Sequence, residues 1–98
     1  MEVFDKGKRI TCRGAKLYVL ENELSRNRIC FTFSRGFGNA VERNRARRLG
    51  RESYRNLKSR LRRGYDLILL VYPEEPAPVF AMRMKQLEYL LNKAGLLL

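Results

Sequence analysis

One segment constrains the fold more than any other, because it predicts a long helix between two predicted strands. The helix covers residues 40 to about 62, with Asn39 as a favourable N-cap and Glu42 three residues later in a capping-box pattern. Gly50 interrupts the helix at a cost of about 1 kcal/mol relative to alanine, and Gly64 is a natural stop. Small and apolar side chains recur every three or four residues and form one stripe: Ala46, Leu49, Ser53 or Tyr54, Leu57 and Leu61.

Strands on both sides of this helix indicate an α+β fold. Residues 28–34 alternate apolar and polar side chains with a period of two, and residues 15–20 are rich in β-formers. Residues 67–72 form a continuous apolar run, which is typical of a central strand covered on both faces. A strand–helix–strand order predicts that the two strands are parallel neighbours. A last helix is predicted over about residues 79–93, and its expected buried face is Phe80, Met84, Leu87, Leu91 and Ala94.

The 98 residues suffice for a single domain, residues 1–98, and their charge is concentrated in its middle. The net charge is +11, and residues 35–63 alone hold 11 basic and 2 acidic residues, a net charge of +9. Ten of those 11 are arginine, which suits bidentate phosphate contacts and stacking on bases. Arg43, Arg47, Arg51 and Arg55 are each four residues apart, so like charges repel along the helix by about 0.2–0.5 kcal/mol per pair. A polyanionic partner would relieve this repulsion.

RNA is the predicted partner, in preference to DNA or a membrane. Helices that read DNA usually belong to helix-turn-helix units or dimers, whereas strands that carry aromatic side chains flank this helix and suit unstacked bases. No apolar run reaches the roughly 18–20 residues that span a bilayer, and no signal peptide is recognisable, so a cytoplasmic location is expected. The absence of histidine excludes Ser-His and Cys-His catalysis, and Cys12 and Cys30 are expected to be free thiols.

A long ordered motif surrounds the arginines: Gly38-Asn39-Ala40-Val41-x-Arg43-Asn44-Arg45-x-Arg47-Arg48-x-x-Arg51-Glu52-x-Tyr54-Arg55. It resembles the signature of the bacterial ribonuclease P protein family. Lys6-Gly7-Lys8-Arg9 is similar to the Gly-Lys-Arg turn of that family, and Gly64-Tyr65-Asp66 is similar to the entry to one of its strands. The final amphipathic helix also fits, so the resemblance spans about residues 3–95.

The resemblance implies a fold and a division of chemical labour. The implied fold is an α+β two-layer sandwich, a small central sheet with helices packed on it, in ribosomal-protein-S5-like α-β-β-β-α-β-α order. The first helix would be shortened, and the βαβ crossover would be left-handed, against the usual rule. The implied function is that of the protein subunit of ribonuclease P, which binds the catalytic RNA and the 5′ leader of precursor tRNA. Catalysis would belong to the RNA, with magnesium held mainly by that RNA and no catalytic or metal-binding residue in the protein.

Two sets of RNA-binding residues are expected. Residues that face the leader and tRNA would be Phe4, Tyr18, Arg43, Arg47 and Arg51. Residues that face the catalytic RNA would be Arg35, Asn44, Arg45, Arg48 and Arg55. Tyr18 points away from Leu17 and Val19 on a strand, so it is free to meet RNA if those two are core. Core packing is the alternative for Tyr18 and Phe4, and Phe37 could either stack on RNA or pack.

Two other functions compete with this interpretation. A structural RNA-binding protein of the ribosomal type would share the size and charge, although it would not need this ordered motif between two strands. A self-sufficient nuclease would need a cluster of metal-binding carboxylates, and the acidic residues show no such grouping in sequence. No small-molecule substrate is indicated.

Overall fold

The computed structural model describes residues 7–98 and contains one four-stranded sheet with two α-helices. The elements in chain order are β1 (Lys8–Cys12), β2 (Ala15–Glu21), β3 (Arg28–Phe33), α1 (Ala40–Leu57), a 3-10 turn (Lys58–Arg60), β4 (Tyr65–Val71) and α2 (Phe80–Lys93). The strand order in the sheet is β1-β2-β4-β3. β1 is antiparallel to β2 and β2 to β4, whereas β3 is parallel to β4. The predicted α+β class, the central position of β4 and its parallel neighbour β3 are therefore confirmed.

β1 is the strand that the sequence pattern alone did not indicate, although the family's strand count includes it. Ile10 and Cys12 pack against the core, whereas Lys8, Arg9 and Thr11 are exposed. Charged residues on a short edge strand discourage pairing with another chain. They also hide the apolar alternation by which a strand is recognised.

The main core lies between one face of the sheet and the two helices. β2 and β4 supply its centre, because the Leu17 side chain of β2 opposes Leu69 of β4 and both are fully buried. The helices cover this layer with Leu57 from α1 and Leu87, Leu90 and Leu91 from α2. Ser53 is buried too, and its hydroxyl donates to the Leu49 carbonyl oxygen at 2.8 Å, whereas Tyr54 is half-buried.

α1 begins as predicted but ends early. The Asn39 side chain accepts a hydrogen bond from the Glu42 amide at 2.9 Å, and the Glu42 carboxylate accepts one from the Asn39 amide at 3.1 Å. The α-helix ends at Leu57 rather than near residue 62. The reason is tertiary, because Leu61 is extended and forms a β-bridge with Leu97. Backbone hydrogen bonds from the C-terminal segment thus replace those of another helical turn.

α2 differs from its prediction at three positions of its buried face, because Phe80 is exposed whereas Arg83 and Leu90 are buried. Leu87, Leu91 and Ala94 are buried as predicted, and Met84 is half-buried. Phe80 is 40% exposed, because the core reaches Met84 but not the first turn of the helix. Arg83 is instead 1% exposed, so a charged side chain occupies a position that the apolar pattern did not include. Within residues 7–98, no helix is long and apolar enough to cross a membrane.

Candidate nucleic-acid interface

A groove of about 470 Å³ separates α1 from β3, which is an edge strand of the sheet. Its lining residues are Ile29, Cys30, Phe31, Arg47, Arg51, Tyr54, Arg55 and Lys58. Four of these side chains are cationic and none is acidic. Such a groove, with an apolar floor and a positively charged wall, suits a polyanion whose other parts are flat and uncharged.

The floor of the groove depends on Gly50. Gly50 is buried, and the Phe31 ring occupies the space where a side chain on residue 50 would project. The helix-weakening glycine noted in the sequence therefore has a packing reason. It lets β3 approach α1 closely enough for the two to form one surface.

Arg47 is held in place before any ligand binds. Its Nη1 donates to the Asn44 side-chain oxygen at 2.8 Å, and its guanidinium carbon lies 5.2 Å from the centre of the Phe33 ring. A cation over an aromatic face is attracted to it. The Phe33 and Phe37 rings are 4.9 Å apart at 45°. Phe37 is half-buried and packs against the core, which is one of the two roles that were open for it, and its contact with RNA stays a prediction.

The other three arginines of the four-residue series make different contacts from one another. Arg43 turns away from the groove, and its Nη1 donates to the carbonyl oxygen of Gly38 at 2.9 Å. Arg51 lines the groove and has no hydrogen-bond or ion-pair partner within residues 7–98. Arg55 also lines the groove and makes an exposed ion pair of 3.2 Å with Glu52, a type that contributes little stability. Three of the four arginines thus converge on β3.

The residues expected to face the catalytic RNA are also on the surface. Arg45 and Arg48 are exposed and do not line the groove, and Arg35 is exposed in the turn after β3. Asn44 is exposed, and its side chain accepts a hydrogen bond from Arg47. The resemblance places Arg55 in the same set, but this residue lies in the groove. Lys58 also lies there and was missed, because it follows the last helical turn and falls outside the four-residue series. Which RNA each residue meets stays a prediction.

Tyr18 faces away from the helices, as predicted, but it is not open to solvent. Its neighbour across the sheet is Ile68 of β4, and these two form a second small cluster with Leu20 and Leu70 packed against it. Only 8% of Tyr18 is exposed. The ring is therefore buried in a second, apolar cluster on this face of the sheet, and its contact with RNA stays a prediction. Phe4 lies outside the described residues.

A charged network fastens the start of β4 to the start of β3. Arg28 donates to both carboxylate oxygens of Asp66, from Nε at 2.7 Å and from Nη2 at 2.6 Å, and Asn22 donates at 2.9 Å. The hydrogen bond from Arg28 is the main reason that the pKa of Asp66 is lowered from its ordinary value. Asp66 and Arg28 are direct partners in the parallel register. The aspartate after Gly64-Tyr65 therefore has a structural role at the entry to the central strand.

The chemistry of the groove is that of binding. Burial raises the pKa of the Tyr54 phenol, so this side chain is neutral at physiological pH. Within residues 7–98, no three Asp, Glu, Cys or His side chains come together as a potential metal site. The groove thus combines fixed positive charge, one neutral phenol and apolar side chains.

Comparison with known proteins agrees with this arrangement. A model of the Ribonuclease P family matches residues 1–95. The ribonuclease P protein component of Caldanaerobacter subterraneus is 35% identical over 94 residues, which are 96% of this chain and 81% of that relative. The component of Natranaerobius thermophilus is 46% identical over 68 residues, 69% of this chain and 59% of that relative.

Solved structures show the same fold. The ribonuclease P protein of Staphylococcus aureus superposes with a TM-score of 0.84 at 27% identity, over 99% of this chain and 89% of that one. The protein from Thermotoga maritima gives a TM-score of 0.85 at 24% identity, over 94% and 87% of the two chains, and shares the fold. The sequence match over nearly the whole length and the shared architecture lead to one conclusion: the chain belongs to the ribonuclease P protein family.

Proposed function

We propose that this chain is the protein subunit of a cytoplasmic ribonuclease P, where it assists removal of the 5′ leader from precursor tRNA. It binds the catalytic RNA and the leader, and the RNA performs the endonucleolytic cleavage. Membership of the family supports the assignment to tRNA 5′-end maturation. Magnesium, in this proposal, is held mainly by the RNA, and no chemical step is assigned to a side chain of the protein.

The groove between α1 and β3 is the observation that carries the proposal. An extended single strand has phosphates spaced along one edge and bases along the other, which matches a cationic wall beside an apolar floor. Arg51, Arg55 and Lys58 supply the wall, and Phe31 and Tyr54 supply part of the floor. Arg47 is already oriented by Asn44 and Phe33, so less side-chain freedom is lost when it meets a phosphate.

The proposal assigns different surfaces to the two RNAs. Arg47 and Arg51, in the groove, face the leader, and Arg43 supports them by fixing the turn that precedes α1. Arg35, Arg45 and Arg48, exposed outside the groove, face the catalytic RNA. Asn44 and Arg55, which the resemblance places in the same set, lie beside and in the groove, where the two RNAs would adjoin. Phe4 and Tyr18 stay in the leader-binding set that the resemblance implies. Because Tyr18 is buried, stacking on its ring requires the surrounding side chains to move.

Reconstitution with a ribonuclease P RNA tests this function. The protein should permit cleavage of precursor tRNA at a magnesium concentration where the RNA alone is inactive. It should also increase affinity for substrates with a leader more than for mature tRNA. Arg51→Ala should reduce that leader-dependent gain by about tenfold or more, because charge-assisted contacts contribute roughly 1.5–3 kcal/mol.

Arg26→Ala is the matched control, since Arg26 is exposed in the β2–β3 turn and does not line the groove. It removes the same charge and should leave the leader-dependent gain unchanged. A protein that binds RNA but neither lowers the magnesium requirement nor distinguishes the two substrates would instead be a structural RNA-binding protein. Such a result would contradict the proposal.

A further inference from the structure

A separate cavity of about 160 Å³ lies between α1, the loop of residues 72–79 and α2. It exceeds the roughly 30 Å³ share of a water molecule several times over. It is smaller than the roughly 300–1,000 Å³ of sites for drug-sized ligands. Phe37, Leu49 and Tyr72 give its lining an aromatic and aliphatic character. Its size and walls therefore suit one planar ring system.

Arg83 contributes a buried cation to this lining. The residue is 1% exposed, and its Nη1 donates to the Gln86 side-chain oxygen at 2.6 Å. Its Nε is buried and has no hydrogen-bond partner within residues 7–98. An unsatisfied buried donor is unfavourable, so a ligand that brings acceptor atoms would stabilise this guanidinium.

The acidic groups of the lining make a phosphate an unfavourable ligand for this cavity. Two cations, Arg45 and Arg83, line the cavity, but three carboxylates outnumber them and would repel an anion: Glu42, Glu74 and Glu75. The carboxylates of Glu42 and Glu74 already accept hydrogen bonds, from the Asn39 amide and the Gln86 side chain. Glu75 accepts none within residues 7–98, so its carboxylate can receive donors from a ligand. The cavity thus offers a donor group and an acceptor group to a neutral ring.

Guanine is the nucleobase that matches both groups. Its O6 and N7 are acceptors that a guanidinium recognises, and the N1 and N2 groups of its opposite edge are donors that a carboxylate accepts. Adenine and uracil each lack both the adjacent pair of acceptors and the adjacent pair of donors. Aromatic side chains such as Phe37 and Tyr72 provide flat surfaces on which an unstacked base can pack.

Phe37 connects the cavity with the groove. It lines the cavity, and its ring contacts the ring of Phe33. The guanidinium of Arg47 lies over the Phe33 ring. An RNA strand in the groove therefore passes within a few side chains of the cavity. We propose that the cavity receives one unpaired guanine of the RNA that the groove binds. This inference rests on the proposed function, since it requires a single strand in the groove.

Short oligonucleotides test the inference with the full chain. Fluorescence anisotropy should show that the labelled RNA UUGUU binds about tenfold more tightly than UUAUU or UUUUU, the effect of one good bidentate contact. Glu75→Gln should abolish this preference, because the amide no longer accepts from both guanine donors. Glu21→Gln removes the same charge at the exposed end of β2 and should preserve the preference. Neither side chain is in the core, so both variants are expected to fold.

Methyl NMR spectra give a second readout that does not depend on affinity. The Ala46 and Ala77 methyl groups line the cavity and should shift with UUGUU but not with UUUUU. Equal binding of all three RNAs with unchanged methyl signals would overturn the guanine site while leaving the groove proposal intact. A guanine preference that survives Glu75→Gln would overturn it as well. Failure of every RNA to bind would instead contradict the proposed function on which the inference rests.

Discussion

Gly50 and Phe31 are in such close contact that a Cβ atom on residue 50 would lie 2.7 Å from Cε1 of the Phe31 ring. Real Cβ atoms essentially never approach another heavy atom so closely, and the ring is packed between β3 and the helix. The contact defines the distance between α1 and its neighbouring strand. It therefore also defines the width of the groove in which the arginines converge.

Gly50→Ala should lower the free energy of unfolding by about 1–3 kcal/mol, because overpacking outweighs the roughly 1 kcal/mol gain in helix propensity. Urea denaturation measures this change. Gly50→Ala combined with Phe31→Leu should be less unstable than the sum of the two single variants, since the smaller side chain leaves room for the new methyl group. If Gly50→Ala alone is stabilising, the close contact is not the reason for this glycine.

Asp66 should make stability depend on pH in the acidic range. Its folded-state pKa is lowered, mainly by the hydrogen bond from Arg28. The stabilisation is therefore complete above the unfolded-state pKa of about 3.9 and is lost as pH falls through the folded-state value. Asp66→Asn should reduce the free energy of unfolding by about 1 kcal/mol at pH 7, as expected for a partly exposed pair.

Urea titrations at a series of pH values check this prediction. The difference between the original chain and Asp66→Asn should be constant above about pH 5 and should shrink below about pH 4. A difference in the free energy of unfolding that grows as pH falls would show that folding raises the pKa of Asp66 instead of lowering it.

Two variants of Tyr18 distinguish the contribution of its apolar volume from that of its aromatic ring. Tyr18→Ala should lower the free energy of unfolding by about 2–4 kcal/mol, because it leaves a cavity beside Ile68. Tyr18→Leu retains most of the apolar volume and should be much less destabilising. If the ring stacks on the leader, Tyr18→Leu should still weaken binding of leader-bearing precursor, by roughly 1–3 kcal/mol. Unchanged leader affinity in a folded Tyr18→Leu variant would restrict Tyr18 to a packing role.

Arg47 and Arg48 are adjacent in sequence but lie on different surfaces of α1. Arg47 lines the groove, and Arg48 is exposed outside it. Arg47→Ala should weaken binding of precursor tRNA more than that of mature tRNA. Arg48→Ala should mainly weaken assembly with the catalytic RNA. Filter-binding assays with each RNA compare the two variants, and equal effects in both assays would argue against two separate surfaces.

Local signals made much of this structure predictable. The capping box predicted the start of α1 at Ala40, and the apolar run predicted that β4 is central. The four-residue spacing of the arginines predicted one charged side of the helix. These features depend on neighbours within a turn or on burial of a whole segment, so sequence periodicity reports them directly.

Features that depend on distant residues could not be predicted. Leu61 leaves the helix because Leu97, 36 positions further on, forms a β-bridge with it. Arg83 is buried although its neighbours suggest an exposed position, because Gln86 and the cavity walls surround it. The burial of Tyr18 depends on Ile68 across the sheet. In each case the decisive contact joins segments that no local pattern relates.

The salt dependence of RNA binding measures most directly whether the groove neutralises the phosphates of a single strand. Four cations line the groove, and each single-strand phosphate contact contributes a slope of about −0.7 to a plot of log affinity against log salt. The slope for a single-stranded leader RNA should therefore be about −3 or steeper. Arg51→Ala should make it less steep by about 0.7, whereas Arg26→Ala should leave it unchanged. An affinity that is independent of salt, or a slope that Arg51→Ala does not change, would contradict the account.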